Sequence, residues 1–360
     1  MSRRRRLLST GLVVAAIAAL GLLVLRGVRS LDAPLELAAP VRFEVPAGAR
    51  LSQIGRELAR RGVLAEPRAW VIYARLAGRA AAIKAGEYEI EPGTTPRALL
   101  EKLVSGQVVL HSFTIVDGSR LEEVLSALRH DSDVRVTLPE DPQKLPAALG
   151  WPSGTAGAAS PAGADGSAEG QFLPETYRFA LHTSDAQILR DAHAALVKAL
   201  NAEWQSRDPD IPLHSPQELL IMASIVQKES GVPEELPRIA GLYLNRLRLG
   251  MRLQADPTVI YGLGARYDGE LHAVDLRTDG PYNTYTRAGL PPTPIALPGA
   301  AALHATAHPE KTEALYFVAS GLPDGSHVFS RTLIEHNAAV ARYLAHLRHR
   351  PPAADSGTPH

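Results

Sequence analysis

Residues 215–229 read SPQELLIMASIVQKE, and the rest of the chain is organised around them. Ser215 suits an N-cap, Pro216 the first helical position, and Glu218 follows three residues after the cap as in a capping box. From Leu219 to Val226 the stretch is apolar on nearly every side, which is the pattern of a helix buried within a domain. Gly231 and Pro233 end it. Glu229 follows Val226, Ile225 and Met222 by three, four and seven residues, which places its carboxyl over one flank of the apolar helix. Desolvation there would raise its pKa and keep a proton available near neutral pH, as protonation of a glycosidic oxygen requires. The alternative is a solvated last-turn glutamate, or the partner of a nearby arginine.

The chain has 360 residues, 38 basic and 38 acidic. That length suits two or three domains. Its balanced charge argues against nucleic acid as the main partner. With no cysteine there is no disulfide framework, thiolate site or cysteine nucleophile. Arg3–Arg6 precede Leu7–Leu25, nineteen residues without a charge. We expect a cytoplasmic stub and retained transmembrane anchor over 1–30, with the N-terminus in the cytoplasm and the bulk of the chain periplasmic, at an inner membrane. A cleaved signal peptide is the alternative.

Three segments share one pattern: FEVPAGARLSQIGREL from Phe43, YEIEPGTTPRALLEKL from Tyr88 and FTIVDGSRLEEVLSAL from Phe113. An aromatic residue opens a short strand, a glycine follows five residues later (Gly48, Gly93, Gly118), and an apolar-periodic helix comes next. With the helical stretch Pro67–Ala82, the first two units make a small α/β module. It resembles LysM-like domains, which bind N-acetylglucosamine-containing glycans, and reads equally as a spacer. The expected α+β organisation is a LysM-like module and connecting repeat over 36–137, a flexible linker over 138–169 rich in glycine, proline and small residues, and a mixed catalytic domain over 170–349 around the buried Glu229 helix. A disordered tail over 350–360 completes it. Within the catalytic domain we expect helices over 185–204, 234–249, 299–307 and 332–347, a hairpin of 315–319 with 327–329, and a turn-rich stretch over 251–299.

Metalloprotease, phosphate-loop and serine-hydrolase motifs are absent. The thirteen histidines are scattered, so no metal site is expected, and no cofactor is called for. Ser224 and Lys228 are four apart, whereas S-x-x-K requires three. After Glu229 comes a dense series of amides, hydroxyls and tyrosines on proline-stiffened loops. It includes Asn245 and Arg246, then Gln254, Asp256, Thr258 and Tyr261, then Asn283, Thr284 and Tyr285. Such side chains suit a sugar's hydroxyl edges and apolar faces. Singly, each also suits a loop residue satisfying nearby backbone. Asp256 in Asp-Pro-Thr reads as a turn or helix-cap residue, or as a second carboxylate.

Together MASIVQKES, NRLRLGMRLQADPTVIYGLG, YNTYTRAGLPPTPIALPG and AAHPEKTEALYFVASG…HVFS…EHN closely resemble the YceG-like family, the endolytic murein transglycosylases, over about Gly170 to Leu347. The resemblance implies cleavage of the bond between N-acetylmuramic acid and N-acetylglucosamine with formation of 1,6-anhydro ends. Glu229 matches the family's catalytic glutamate, acting as acid and then base. The family's preceding acidic position is Gln227 here, which cannot act as an acid. Asn245, Gln254, Asp256, Thr258, Tyr261, Asn283, Thr284 and Tyr285 match the family's cleft motifs and are carried over as glycan contacts. The implied partners are nascent peptidoglycan strands, the membrane and peptidoglycan synthases. Two other readings stay open: a non-catalytic peptidoglycan-binding scaffold, and a hydrolytic muramidase in which Asp256 activates water.

Overall fold

The computed structural model describes residues 17–19, 21–22, 25–151 and 166–349. Most of the expected anchor over Leu7–Leu25, residues 152–165 of the expected linker and the tail from Arg350 lie outside the described residues. Among the described residues no helix is long and apolar enough to cross a membrane. The chain divides into two compact units, residues 1–111 with 178–183, and residues 112–177 with 184–360.

The smaller unit is built from the first two repeats. Strand Val41–Val45 pairs antiparallel with Gly86–Ile90, placing Phe43 opposite Tyr88. Each strand leads through a left-handed glycine, Gly48 at φ 73° and Gly93 at φ 84°, into a helix, Leu51–Arg60 and Pro96–Ser105. A side chain at either position would force a backbone that only glycine adopts freely. Helix Pro67–Leu76 lies between the two repeats in sequence. Phe43, Leu58, Trp70, Tyr88, Leu99 and Leu103 form the centre of its core. The polar atoms carried inside are matched: Trp70 Nε1–H donates to Pro96 O at 2.8 Å, and Tyr88 Oη–H to Lys84 O at 2.8 Å.

The third repeat keeps the same local form, with Gly118 at φ 76° before helix Leu121–His130. It folds into the larger unit, which begins at Ser112 rather than at Gly170. Backbone pairing explains this. Gly118 N–H donates to Leu297 O at 2.8 Å, Leu297 N–H returns to Ser119 O at 2.9 Å, and Lys228 Nζ donates to Gly118 O at 3.1 Å. The described flanks of the expected linker are folded as well. Leu138, Leu145 and Leu149 are buried, and the Glu169 carboxylate accepts from Leu121 N–H at 3.0 Å.

Helix Pro216–Glu229 is the axis of the larger unit, and every residue from Leu219 to Val226 is buried. Helices Asp185–Ser206, Leu236–Arg248 and Ala300–Ala307 pack around it. Ser215 Oγ accepts from Glu218 N–H at 3.1 Å, as the cap predicts. The Glu218 carboxylate reaches one residue further back than a capping box expects and accepts from His214 N–H at 2.7 Å. Ser224 Oγ–H donates to Ile221 O at 2.7 Å and accepts from Ile295 N–H at 3.0 Å, so its hydroxyl fastens a loop to the buried helix. The stretch 251–299 departs from expectation by containing helices Asp256–Leu263 and Ala273–Arg277. Pro257 in the first turn fixes φ for helix entry, a signal also compatible with a turn. Strands Tyr316–Ala319 and His327–Ser330 form the expected hairpin, with Tyr316 opposite Ser330. The closing helix Leu333–His349 opens on a reciprocal capping box between Thr332 and Glu335.

Candidate active site

Glu229 ends the buried helix, and its carboxyl opens into a cavity of about 360 Å³. Gln254, Asp256, Tyr285, Tyr316 and His336 contribute polar groups to the wall, and Phe317 and Leu333 contribute apolar surface. The helix after the Glu229 helix supplies two further lining residues, Tyr243 and Arg246. Tyr243 and Arg246 are three residues apart and so share one helix face. Tyr243 Oη–H donates to Glu229 Oε1. Among the described residues Glu229 Oε2 accepts no hydrogen bond, and Glu229 is one of the residues that line the cavity.

Arg246 is 6% exposed, and no carboxylate pairs with it among the described residues. Its Nε–H donates to Leu315 O at 2.7 Å and its Nη1–H to Leu253 O. Its guanidinium also lies 5.3 Å from the centre of the Tyr316 ring. The cation thus fixes two segments of the cavity wall while its charge acts on Glu229.

Burial pushes the Glu229 carboxyl up to about 7, and the charge of Asp256 pushes in the same direction. The Tyr243 hydrogen bond and the Arg246 charge pull against this rise. Burial is the dominant cause, which identifies the site as one that keeps a carboxylic proton near neutral pH. Tyr243 itself is held well above the usual phenol range, first by burial and then by the Glu229 charge, so it stays a donor. His336 is pushed down by burial and by the Arg246 charge. Its ring stacks on Tyr316 at 5.4 Å, and its Nδ1 is buried without a partner among the described residues.

Of the expected cleft residues, Gln254, Asp256 and Tyr285 line the Glu229 cavity. Tyr285 Oη–H donates to Asp256 Oδ1 at 2.5 Å. Gln254 adopts φ 52°, a left-handed backbone that costs a non-glycine residue about 1–2 kcal/mol, and its N–H donates to Thr284 O at 3.1 Å. The other five do not line this cavity. Asn245 Nδ2 donates to Thr312 O at 2.7 Å and its carboxamide oxygen accepts from Arg248. Thr258 and Thr284 are buried, share a hydroxyl contact at 2.9 Å, and together anchor the backbone of Ala255. Asn283 Nδ2 donates to Asp275 O and Thr278 O, while its Oδ1 accepts from Tyr285 N–H. Tyr261 meets Tyr282 edge-on at 4.8 Å. These five hold the loops that carry the lining residues.

Tyr243, Tyr316, Phe317, Leu333 and His336 were not singled out by the sequence. The i, i+3 spacing of Tyr243 and Arg246 on the helix that follows Glu229 was the one signal available for the first of them. Gln227, at the family's acidic position, accepts from Gly299 N–H at 3.0 Å and anchors the start of helix Ala300–Ala307.

A profile of the YceG-like family matches residues 43–342. An endolytic murein transglycosylase of Bacillus subtilis (strain 168) is 31% identical over 85% of this chain and 85% of its own length. A protein of the same name from Streptococcus pneumoniae (strain D39) is 26% identical over 84% of this chain, which spans 58% of that longer relative. Among solved structures, a yceG-like protein of Listeria monocytogenes is 29% identical with a TM-score of 0.51, over 83% of this chain and 98% of that one.

Proposed function

Because the chain belongs to the YceG-like family and is a lytic transglycosylase acting on peptidoglycan, we propose that Glu229 is its general acid and base. The reaction breaks the bond between C1 of N-acetylmuramic acid and the bridging oxygen of N-acetylglucosamine. One observation carries the assignment: a carboxyl raised to about 7 by burial lines the cavity with one of its oxygens held by Tyr243.

Because Tyr243 donates to Oε1, the proton of the neutral acid resides on Oε2. It passes to the bridging oxygen as the C1–O bond breaks and the sugar takes on oxocarbenium character. Glu229, now ionised, takes the proton of the muramyl C6 hydroxyl while that oxygen bonds to C1. The products are a 1,6-anhydromuramyl end and a free 4-hydroxyl, with no water consumed. The Tyr243 hydrogen bond strengthens as negative charge develops on Glu229, so it contributes in the transition state. In the hydrolytic alternative, Asp256 would activate water from the same cavity. Its engagement by Tyr285 favours an electrostatic role that keeps Glu229 protonated.

We infer from the sequence that this chemistry takes place beside the membrane. We read Leu7–Leu25 as a single-pass inner-membrane anchor with Arg3–Arg6 in the cytoplasm and the remainder periplasmic. Such tethering favours nascent strands and proximity to peptidoglycan synthases, and the smaller unit is then a LysM-like glycan contact or spacer. The test is mass spectrometry of purified peptidoglycan digested by the wild type and by Glu229→Gln. Anhydro ends formed only by the wild type are expected. Reducing ends would establish the hydrolase. Equal cleavage by both proteins would remove Glu229 from the mechanism.

A further inference from the structure

We propose that Glu203, His304 and His308 form an exchangeable binding site for a divalent transition cation of the zinc class, apart from the Glu229 cavity. His304 lies in helix Ala300–Ala307 and His308 is the residue that follows the helix, and their rings lie 4.6 Å apart. Glu203 comes from helix Asp185–Ser206, packed alongside. No residue of the three lines the Glu229 cavity. Thirteen histidines scattered along a sequence give no hint of this convergence.

Three ligand atoms, one from each residue, all lie within 4.8 Å of one another. Glu203 Oε2 is 3.1 Å from His304 Nδ1 and 3.3 Å from His308 Nε2. A tetrahedral zinc ion with ligands at about 2.0–2.1 Å has ligand-to-ligand separations of roughly 3.3 Å. Two of the three separations therefore match an occupied site before any side chain moves. Imidazole and carboxylate together suit zinc, copper or nickel, whereas calcium and magnesium call for oxygen alone.

Charge supports the same reading. Among the described residues Glu203 pairs with no lysine or arginine, and its ion-pair partners are the two histidines. The two rings lie 4.6 Å apart at 37°. Two neutral imidazoles and one carboxylate can share a divalent cation. Two imidazolium ions at that spacing repel each other. The side chain of His304 is 63% exposed, so a cation can reach the cluster from solvent. Ser206 Oγ, 3.2 Å from His308 Nε2, borders the position left to water or a fourth ligand. Three protein ligands with an open position make an exchangeable site rather than a closed one. Occupancy would clamp helix Asp185–Ser206 to helix Ala300–Ala307, both of which pack on the Glu229 helix.

The test uses the full chain, detergent-solubilised, untagged and stripped by chelation. Calorimetric titration with ZnCl2 should give one saturable equivalent, and the thermal midpoint should climb with free zinc. His304→Gln and His308→Gln should each weaken binding at least tenfold while leaving the zinc-free midpoint in place. CoCl2 should give the strong visible absorption of a four- or five-coordinate ion, a measurement that depends on no variant. Absence of saturable zinc binding, zinc binding that persists in the doubly substituted protein, or only the weak spectrum of octahedral cobalt would each overturn the site.

Discussion

Tyr243 donates its hydroxyl proton to Oε1 of Glu229 from the helix that immediately follows, and this bond orients the carboxyl. The two helices are joined by a tight connection through Pro233–Glu235, so the pair depends on local chain geometry as well as on packing. Behind Tyr243 the Phe317 ring stands edge-on at 6.1 Å, and Phe317 in turn stacks on Phe329 at 5.9 Å. The hairpin thereby holds the tyrosine that holds the acid.

Tyr243→Phe tests that bond with the ring packing preserved. Loss of a hydrogen bond to a charge developing in the transition state should lower kcat about 10–100-fold. The hydroxyl pulls the Glu229 pKa down, so its removal should also move the alkaline limb of the rate profile above its wild-type position near pH 7. A lower kcat with an unmoved limb would mean that Tyr243 serves the fold rather than the acid.

Asp256→Asn should act in the opposite sense. The Asp256 charge raises Glu229, so neutralising it should shift the alkaline limb of the pH–rate profile below pH 7 while substantial activity remains at pH 5–6. The products should still be anhydro ends by mass spectrometry. Complete loss of cleavage in a folded protein would restore Asp256 as a second catalytic carboxylate.

The readable parts of this chain were those fixed by local chemistry. Gly48, Gly93 and Gly118 mark left-handed turns because a positive φ costs glycine less than any residue with a side chain. Ser215 and Thr332 mark helix starts because their hydroxyls accept from the backbone three residues on. Glu229 stood out because a carboxylate on an apolar helix demands an explanation. Tyr316, Phe317, Leu333 and His336 reach the cavity from far along the chain, and no spacing connects them to Glu229. Asn283, Thr258 and Thr284, expected as glycan contacts, bond to neighbouring backbone and to each other. A polar side chain on a loop looks the same in sequence whether it awaits a sugar or satisfies buried backbone.

Thr284→Val checks that second role. The substitution is nearly isosteric but leaves the Ala255 N–H without its acceptor and removes one of the two contacts of the Thr258 hydroxyl, which keeps its bond to Ala255 O. Denaturant unfolding should show a loss of about 1–3 kcal/mol. At temperatures where the variant stays folded, KM for peptidoglycan fragments should change little. A large KM effect without loss of stability would return Thr284 to the glycan-binding surface.

Glu169 and Glu229 should make stability fall as pH rises from the acidic range to neutrality. Both carboxyls sit at about 7 in the folded protein, against a reference near 4.5, with burial the leading cause in each. Between those values the folded chain keeps protons that the unfolded chain has released, so stability declines from about pH 4.5 to about pH 7 and is flat beyond both limits. Glutamine cannot ionise, yet it retains an acceptor oxygen for Leu121 N–H at position 169 and for the Tyr243 hydroxyl at position 229. Relative to the wild type, Glu169→Gln and Glu229→Gln should therefore gain stability across that window, by up to about 3 kcal/mol each. Urea denaturation at pH 4.5 and pH 8 measures the gain directly. Only Glu229→Gln should abolish cleavage, since Glu169 anchors the start of helix Leu121–His130 and does not line the cavity. Parallel pH–stability curves for variants and wild type would mean that neither carboxyl is perturbed, and the source of the acidic proton would then have to lie elsewhere in the cavity.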